Sequence, residues 1–246
     1  MAKTLSNNNS SALPAQEFID VLYSMQSDIE LQKIKKYFKS EKGDYGHGDI
    51  FIGIKMGDIF KLASANKNMP IIDIKKMLQH KIHEVRVAAV SIMDKASRDK
   101  NISAERLHSF FNLYIKQHKH INNWDLVDLG CLNMTGRHLF DKEKNILFDL
   151  ASSKNLWERR TAILSTCYFI RHGQLDDTYK IASLLLFDDE DLIHKAVGWM
   201  LRFAGDKNKD RLIKFLDEYA AKMPRVMLRN CIEKFEPTLR QYYLKL

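Results

Sequence analysis

Residues 191–202 read DLIHKAVGWMLR, and the periodicity of this stretch decides the fold. At 100° per residue, Ile193, Val197, Met200 and Ala204 collect on one side of a helix, while Lys195, Trp199 and Arg202 fall on the opposite side. Three more segments share the design: HEVRVAAVSIM (83–93), LWERRTAILSTC (156–167) and MPRVMLRNCIEKF (223–235). Each opens a helix with an aromatic, His or apolar residue and sets Arg or Lys within a turn or two. Thirty-five residues separate Arg160 from Lys195, and thirty-two separate Asp128 from Arg160, which is the spacing of helix-pair repeats. The prediction is an all-α superhelical stack of HEAT-like repeats, an α-solenoid in which one helix of each pair lines a concave basic groove.

Composition agrees. In 246 residues there are only four prolines and ten glycines, too few to punctuate an all-β chain, and 45% apolar residues suffice for a sizeable core. The main strand-like candidate is FIGI at 51–54. Residues 1–15 read as a disordered lead-in and 16–246 as a single repeat domain. The glycine-dense GDYGHGD at 43–49 is a loop, either a flexible turn or one whose N–H groups approach a phosphate. No apolar run nears the ~18 residues of a membrane span. The amino terminus has no signal-peptide core, so a cytoplasmic protein without a membrane partner is expected.

The 39 Lys and Arg against 31 Asp and Glu give a net +8, which permits nucleic acid or an acidic partner without deciding between them. Cys131, Cys167 and Cys231 stand in no zinc or redox spacing and read as reduced core residues. His47 and Asp49 are too isolated for a metal, the histidines form no ligand set, and no Ser/His/Asp motif occurs. Neither metal nor cofactor is expected. The acidic run DDED at 188–191 reads as capping the helix that follows.

The groove-facing stripes carry the functional signal. Trp157, Arg160, Leu164, Tyr168 and Arg171 share one face of their helix, opposite Ala162, Ile163, Thr166 and Ile170. In NNWDLVD, Trp124 and Asp128 are four apart and face the same way, with a carboxylate where the other repeats hold a cation. Aligned by stacking, the stripes make a groove of cations for phosphates and aromatics for a base, sugar or cationic ligand. Lys195 and Arg86 join it on pattern alone. Asp128 would oppose DNA unless it has a task; the alternative is a salt bridge to Arg160 or another groove cation.

At these residues the chain resembles the AlkD-like family of DNA alkylation-repair glycosylases, built from HEAT-like repeats. The resemblance rests on NNWDLVDL (122–129), LWERRTAI (156–163), DLIHKAVGWMLR (191–202) and MPRVMLRNCIEKF (223–235), in that order. It implies monofunctional excision of cationic N-alkylpurines, of the 7-methylguanine and 3-methyladenine type, from duplex DNA without a base-flipping pocket. It also implies that Asp128 positions water and stabilises an oxocarbenium-like sugar, the logic of carboxylates in sugar hydrolysis. Trp124 and Trp199 would contact the lesion-bearing nucleotide, and Arg160 and Arg202 would hold phosphates. Tyr37 best matches an early DNA-facing tyrosine, with Tyr45 as its rival. The expected partner is double-stranded DNA containing alkylated bases, bound by a monomer with no obligate protein partner. Competing readings are a catalytically silent DNA-binding relative and a HEAT-repeat protein-interaction scaffold.

Overall fold

All four prolines stand at helix N-termini, where a missing N–H costs nothing: Pro14, Pro70 and Pro224 each precede a helix and Pro237 opens one. The computed structural model describes residues 12–38 and 45–246. The chain divides into two compact units, 1–99 and 100–246. The lead-in expected over 1–15 lies outside the described residues up to position 11, and the first helix already starts at Ala15.

The first unit holds α1 (Ala15–Ser24), α2 (Asp28–Tyr37), α3 (Met56–Ala65), α4 (Ile71–Leu78) and α5 (His83–Ser97). Helix α5 packs on α3 and α4 and is buried along almost its whole length, charged residues included. Each buried charge is therefore matched to a partner. Glu84 accepts the backbone N–H groups of Ile52 (3.1 Å) and Gly53 (2.9 Å), and this decides the fate of FIGI. It forms no strand; an isolated parallel bridge links Ile50 to Ile82, and no strand occurs among the described residues. Gly53 turns the chain with φ +80°, and a Cβ there would lie 2.2 Å from the Ser27 carbonyl oxygen. Of the 43–49 loop, positions 43 and 44 lie outside the described residues; Asp49 at its end is buried against His83 and Arg86.

The second unit begins with α6 (Ala104–Lys116) and a 3-10 turn, His118–His120. Next comes α7 (Trp124–Gly130), which runs through a π-helical turn, Cys131–Thr135, into α8 (Gly136–Leu139). There follow α9 (Asn145–Ala151), α10 (Leu156–Arg171), α11 (Asp176–Leu184), α12 (Asp191–Lys207), α13 (Lys209–Tyr219), α14 (Arg225–Cys231) and α15 (Pro237–Lys245). Helix α10 packs on α12 and α12 on α14, with α9, α11 and α13 against them, so helix pairs recur as the repeat spacing predicts. Together the units make an all-α helical-repeat fold.

A side-chain stitch repeats with the helices. Arg159, fourth in α10, donates from Nη1 to the carbonyls of Ser153 and Lys154, six and five residues back, both at 3.0 Å. Arg86, fourth in α5, does the same to His80 and Lys81, also at 3.0 Å. His194, fourth in α12, reaches the Asp188 carbonyl six residues back. In α5, α10 and α12 the entering chain is thereby tied to the helix's first turn.

The two predicted stripes fare differently. On α12, Ile193, Val197, Met200 and Ala204 are fully buried, Lys195 is exposed, and Trp199 and Arg202 are half-buried, as read from the sequence. On α10, Trp157, Arg160 and Leu164 are buried too, because the helix is covered by α9 and α11 as well as by α7, α8, the π turn and α12. The DDED run meets its expectation in part: Asp188 accepts the N–H of the N-cap residue Glu190 at 3.0 Å and Asp191 stands in the first turn of α12. Glu190 itself makes no side-chain cap, Asp188 also grips Arg159 (2.5 and 3.1 Å), and Asp191 pairs with Lys195 at 2.5 Å. The three cysteines are free and buried; burial pushes the Cys131 thiol up to about 11.

Candidate DNA-facing carboxylate site

Asn123 sets the first residue of the site. Buried and at the N-cap of α7, it accepts the Trp124 N–H at 2.8 Å. Trp124 and Asp128 then stand one turn apart and half-buried, while Asp125, Leu126 and Val127 turn into the core.

Asp128 is held by Arg160 from α10. Nε donates to Oδ1 at 2.9 Å and Nη2 to Oδ2 at 3.1 Å, a side-on, two-point pairing. The remaining arm, Nη1, donates to the Leu192 carbonyl of α12 at 2.6 Å. One guanidinium thus joins three helices. Arg160 is only 5% exposed, whereas the Asp128 side chain keeps 21% of its surface. Burial pushes the Asp128 carboxyl above the usual carboxylate range; Arg160 pulls it back by charge and hydrogen bonding, and Asp125 adds to the rise.

The second unit carries six of the eight sequence-derived residues, and Arg160 links the Asp128 helix to the one that bears three of them. Leu192, Lys195 and Trp199 lie at i, i+3 and i+7 on α12, so the helix whose carbonyl Arg160 holds also carries the exposed lysine and the half-buried tryptophan. Arg202 follows and pairs with Glu233. Two expectations change. Arg160 is a buried partner of Asp128, the salt bridge weighed as the alternative. Arg86 is 5% exposed and spends its donors on the His80 and Lys81 carbonyls and, at 2.6 Å, on Asp49, so it is an internal tie of the first unit. Tyr37, also in the first unit, is 66% exposed at the end of α2, on the outward stripe of Lys33 and Lys36; Tyr45 is half-buried.

The residues that the face arithmetic missed lie behind the pair: Tyr114, His118 and Thr161. Gly130, a glycine inside an otherwise regular helical pattern, was the available signal of a close approach there. Among the described residues no group of three or more His, Cys, Asp or Glu could hold a metal ion. An open cavity of about 470 Å³, lined by Ser153, Lys154, Arg159, Phe187, Asp188 and Glu190 among others, includes neither Asp128 nor a tryptophan. No described helix is long and apolar enough to cross a membrane.

Fold and site together define an all-α helical-repeat protein with a carboxylate held at two points by a buried arginine, one helical turn from a tryptophan. The match to known proteins makes this specific. Residues 18–235 match the family described as DNA alkylation repair enzyme, and the chain belongs to that family. A solved chain described as "Predicted DNA alkylation repair enzyme from Enterococcus faecalis" is similar in fold, with a TM-score of 0.65 and 17% identity, covering 87% of this chain and 98% of that one. None of the curated proteins matches.

Proposed function

We propose that the protein is a monofunctional DNA glycosylase that hydrolyses the N-glycosidic bond of cationic N-alkylated purines, 7-methylguanine and 3-methyladenine among them, in duplex DNA. The observation that carries this is Asp128: a carboxylate fixed at both oxygens by Arg160 and still partly open to solvent. Each oxygen accepts one N–H and keeps a second lone pair for a water.

The chemistry follows from where charge sits. Alkylation leaves the purine cationic, so it departs with the bonding electron pair as a neutral base and needs no general acid. Positive charge grows on the deoxyribose, where a fixed carboxylate stabilises it. Water adds its oxygen to C1′ and gives a proton to Asp128. The faces of Trp124 and Trp199 suit the same cationic sugar. Lys195 and Arg202 face the phosphates, with Tyr37 a further DNA contact from the first unit. Arg160 is assigned here to orienting Asp128 rather than to gripping phosphate. No base-shaped pocket is needed by this scheme, and the protein works as a cytoplasmic monomer on alkylated duplex DNA.

The test is release of 7-methylguanine from methylated duplex by the wild type and by Asp128→Asn. The variant should lose about tenfold or more, roughly 1.4 kcal/mol of transition-state stabilisation, with affinity for duplex unchanged or improved. Asp128 must be ionised to act, so the wild-type rate should fall on acidification, with its midpoint above the ordinary carboxylate range because burial raises that carboxyl. Wild-type protein that binds duplex but releases no base would establish a silent DNA-binding relative instead; one that does neither would favour a protein scaffold.

A further inference from the structure

We infer that Tyr114 is a positioning residue for the Asp128–Arg160 pair, its hydroxyl tying the turn that carries Arg160 to the turn that follows Asp128. The idea rests on the glycosylase reading for its catalytic consequence, and on geometry for the rest.

Tyr114, in α6, is completely buried. Its hydroxyl lies 3.2 Å from Oγ1 of Thr161, the residue after Arg160, and 3.8 Å from Sγ of Cys131, three residues after Asp128 and first of the π turn. Thr161 Oγ1 has a second partner, Nε2 of His118, at 2.9 Å. One turn along α10, Ser165 Oγ donates to the Thr161 carbonyl at 2.7 Å and meets Oγ1 of Thr135, the last π residue, at 2.6 Å. Hydroxyl contacts therefore link α10 to the helix bearing Asp128 at both ends of the π turn.

The ring sets the height of the strut. A Cβ at Gly130 would lie 2.3 Å from Tyr114 Cε2 and 2.9 Å from Cζ, so the phenol rests on a backbone that only glycine leaves bare. Burial, together with the neighbouring Cys131 and Asp128, pushes the phenol far above its usual titration range, and it stays a neutral hydroxyl at any working pH. Packing alone would be served by phenylalanine. A buried hydroxyl that must find partners specifies one relative placement of the elements it joins. That placement matters because a two-point guanidinium–carboxylate pairing requires both N–H groups to meet both oxygens at once. With the strut gone, α7 and α10 still pack, but the carboxylate loses its fixed aim.

The test uses the full chain with Tyr114→Phe, Thr161→Val and Thr161→Ser, and three readouts: single-turnover release of 7-methylguanine, affinity for undamaged duplex, and the titration of the Asp128 carboxyl by carbon NMR. Tyr114→Phe should slow release about fivefold, the rate equivalent of one buried hydrogen bond, and Thr161→Val at least as much because it also removes the His118 contact, with duplex affinity unchanged in both. The double variant should be little slower than Thr161→Val, which already removes the Tyr114–Thr161 contact. Thr161→Ser should keep the wild-type rate, and Asp128 should titrate higher in Tyr114→Phe and Thr161→Val than in the wild type. Wild-type rates and an unmoved Asp128 titration in both would overturn the assignment, as would a Thr161→Ser variant as slow as Thr161→Val. If the wild type releases no base, the glycosylase reading fails by itself, and the Asp128 titration alone then decides the strut.

Discussion

Replacing Arg160 by Met removes the cation and keeps an apolar stem of similar length in its place. Asp128 is then a carboxylate of which four-fifths is covered, with no counter-charge on its oxygens. Breaking a buried ion pair from one side costs about 3–5 kcal/mol, and the exposed fifth of Asp128 admits enough water to place the loss near the lower end. The Leu192 carbonyl loses its 2.6 Å donor as well, adding about 1 kcal/mol. The total at neutral pH is about 4 kcal/mol. Its pH dependence has a definite sign. With Arg160 gone, only the influences that raise the Asp128 carboxyl remain, burial first and Asp125 after it. A carboxyl raised above its unfolded value stabilises the fold when protonated, and that stability is lost as pH rises through the folded value. Acidification should therefore shrink the deficit. Urea unfolding followed by circular dichroism at pH 7.5 and 5.0 measures it, with Asp128→Leu/Arg160→Met as the companion, expected within about 1 kcal/mol of the wild type because no uncompensated charge remains. A deficit under about 0.5 kcal/mol in Arg160→Met, or one that does not change with pH, would refute the reasoning.

Three further substitutions have definite outcomes. Gly53→Ala places a methyl 2.2 Å from the Ser27 carbonyl oxygen at φ +80°, so equilibrium unfolding should show a loss of about 1–3 kcal/mol. Lys195→Ala should lower the salt-dependence slope of binding to undamaged duplex by about one, since that ammonium is exposed beside the tryptophan. By contrast, Arg86→Ala should leave the slope unaltered while destabilising the first unit. Fluorescence anisotropy across a salt series separates the two.

The helical character of the repeats and the α12 faces were legible in the sequence, because the 3.6-residue period directly reports which residues share a side. What a side meets is a different matter. Leu164 and Trp157 fall on the same stripe as Arg160, yet all three are buried, since α10 is enclosed on both sides and the wheel carries no record of neighbours. Arg86 and Arg160 show a related limit. A guanidinium on a long flexible stem can fold back onto loop carbonyls or a neighbouring helix, so a cation on a stripe does not declare whether it faces phosphate or closes the protein's own hydrogen bonds. The Trp124–Asp128 relation was legible because it is local, one turn of one helix. Tyr114 was not, because its partners lie 17 and 47 residues away.

The π turn at Cys131–Thr135 has a meaning for how such a site tolerates change in length. A π turn is an α-helix that has accommodated one additional residue. Removing a residue between 131 and 135 would let the backbone relax to a regular α-helix, a local gain in hydrogen-bond geometry. Because a π turn spends one residue more than an α turn on nearly the same rotation, everything before it would keep its angle to everything after it. Trp124 and Asp128 would still face Arg160, and the change would fall on the turn itself, where Cys131 meets Tyr114 and Thr135 meets Ser165. The irregularity is therefore a local slack, one residue taken up inside a single turn so that the helix on either side stays in phase.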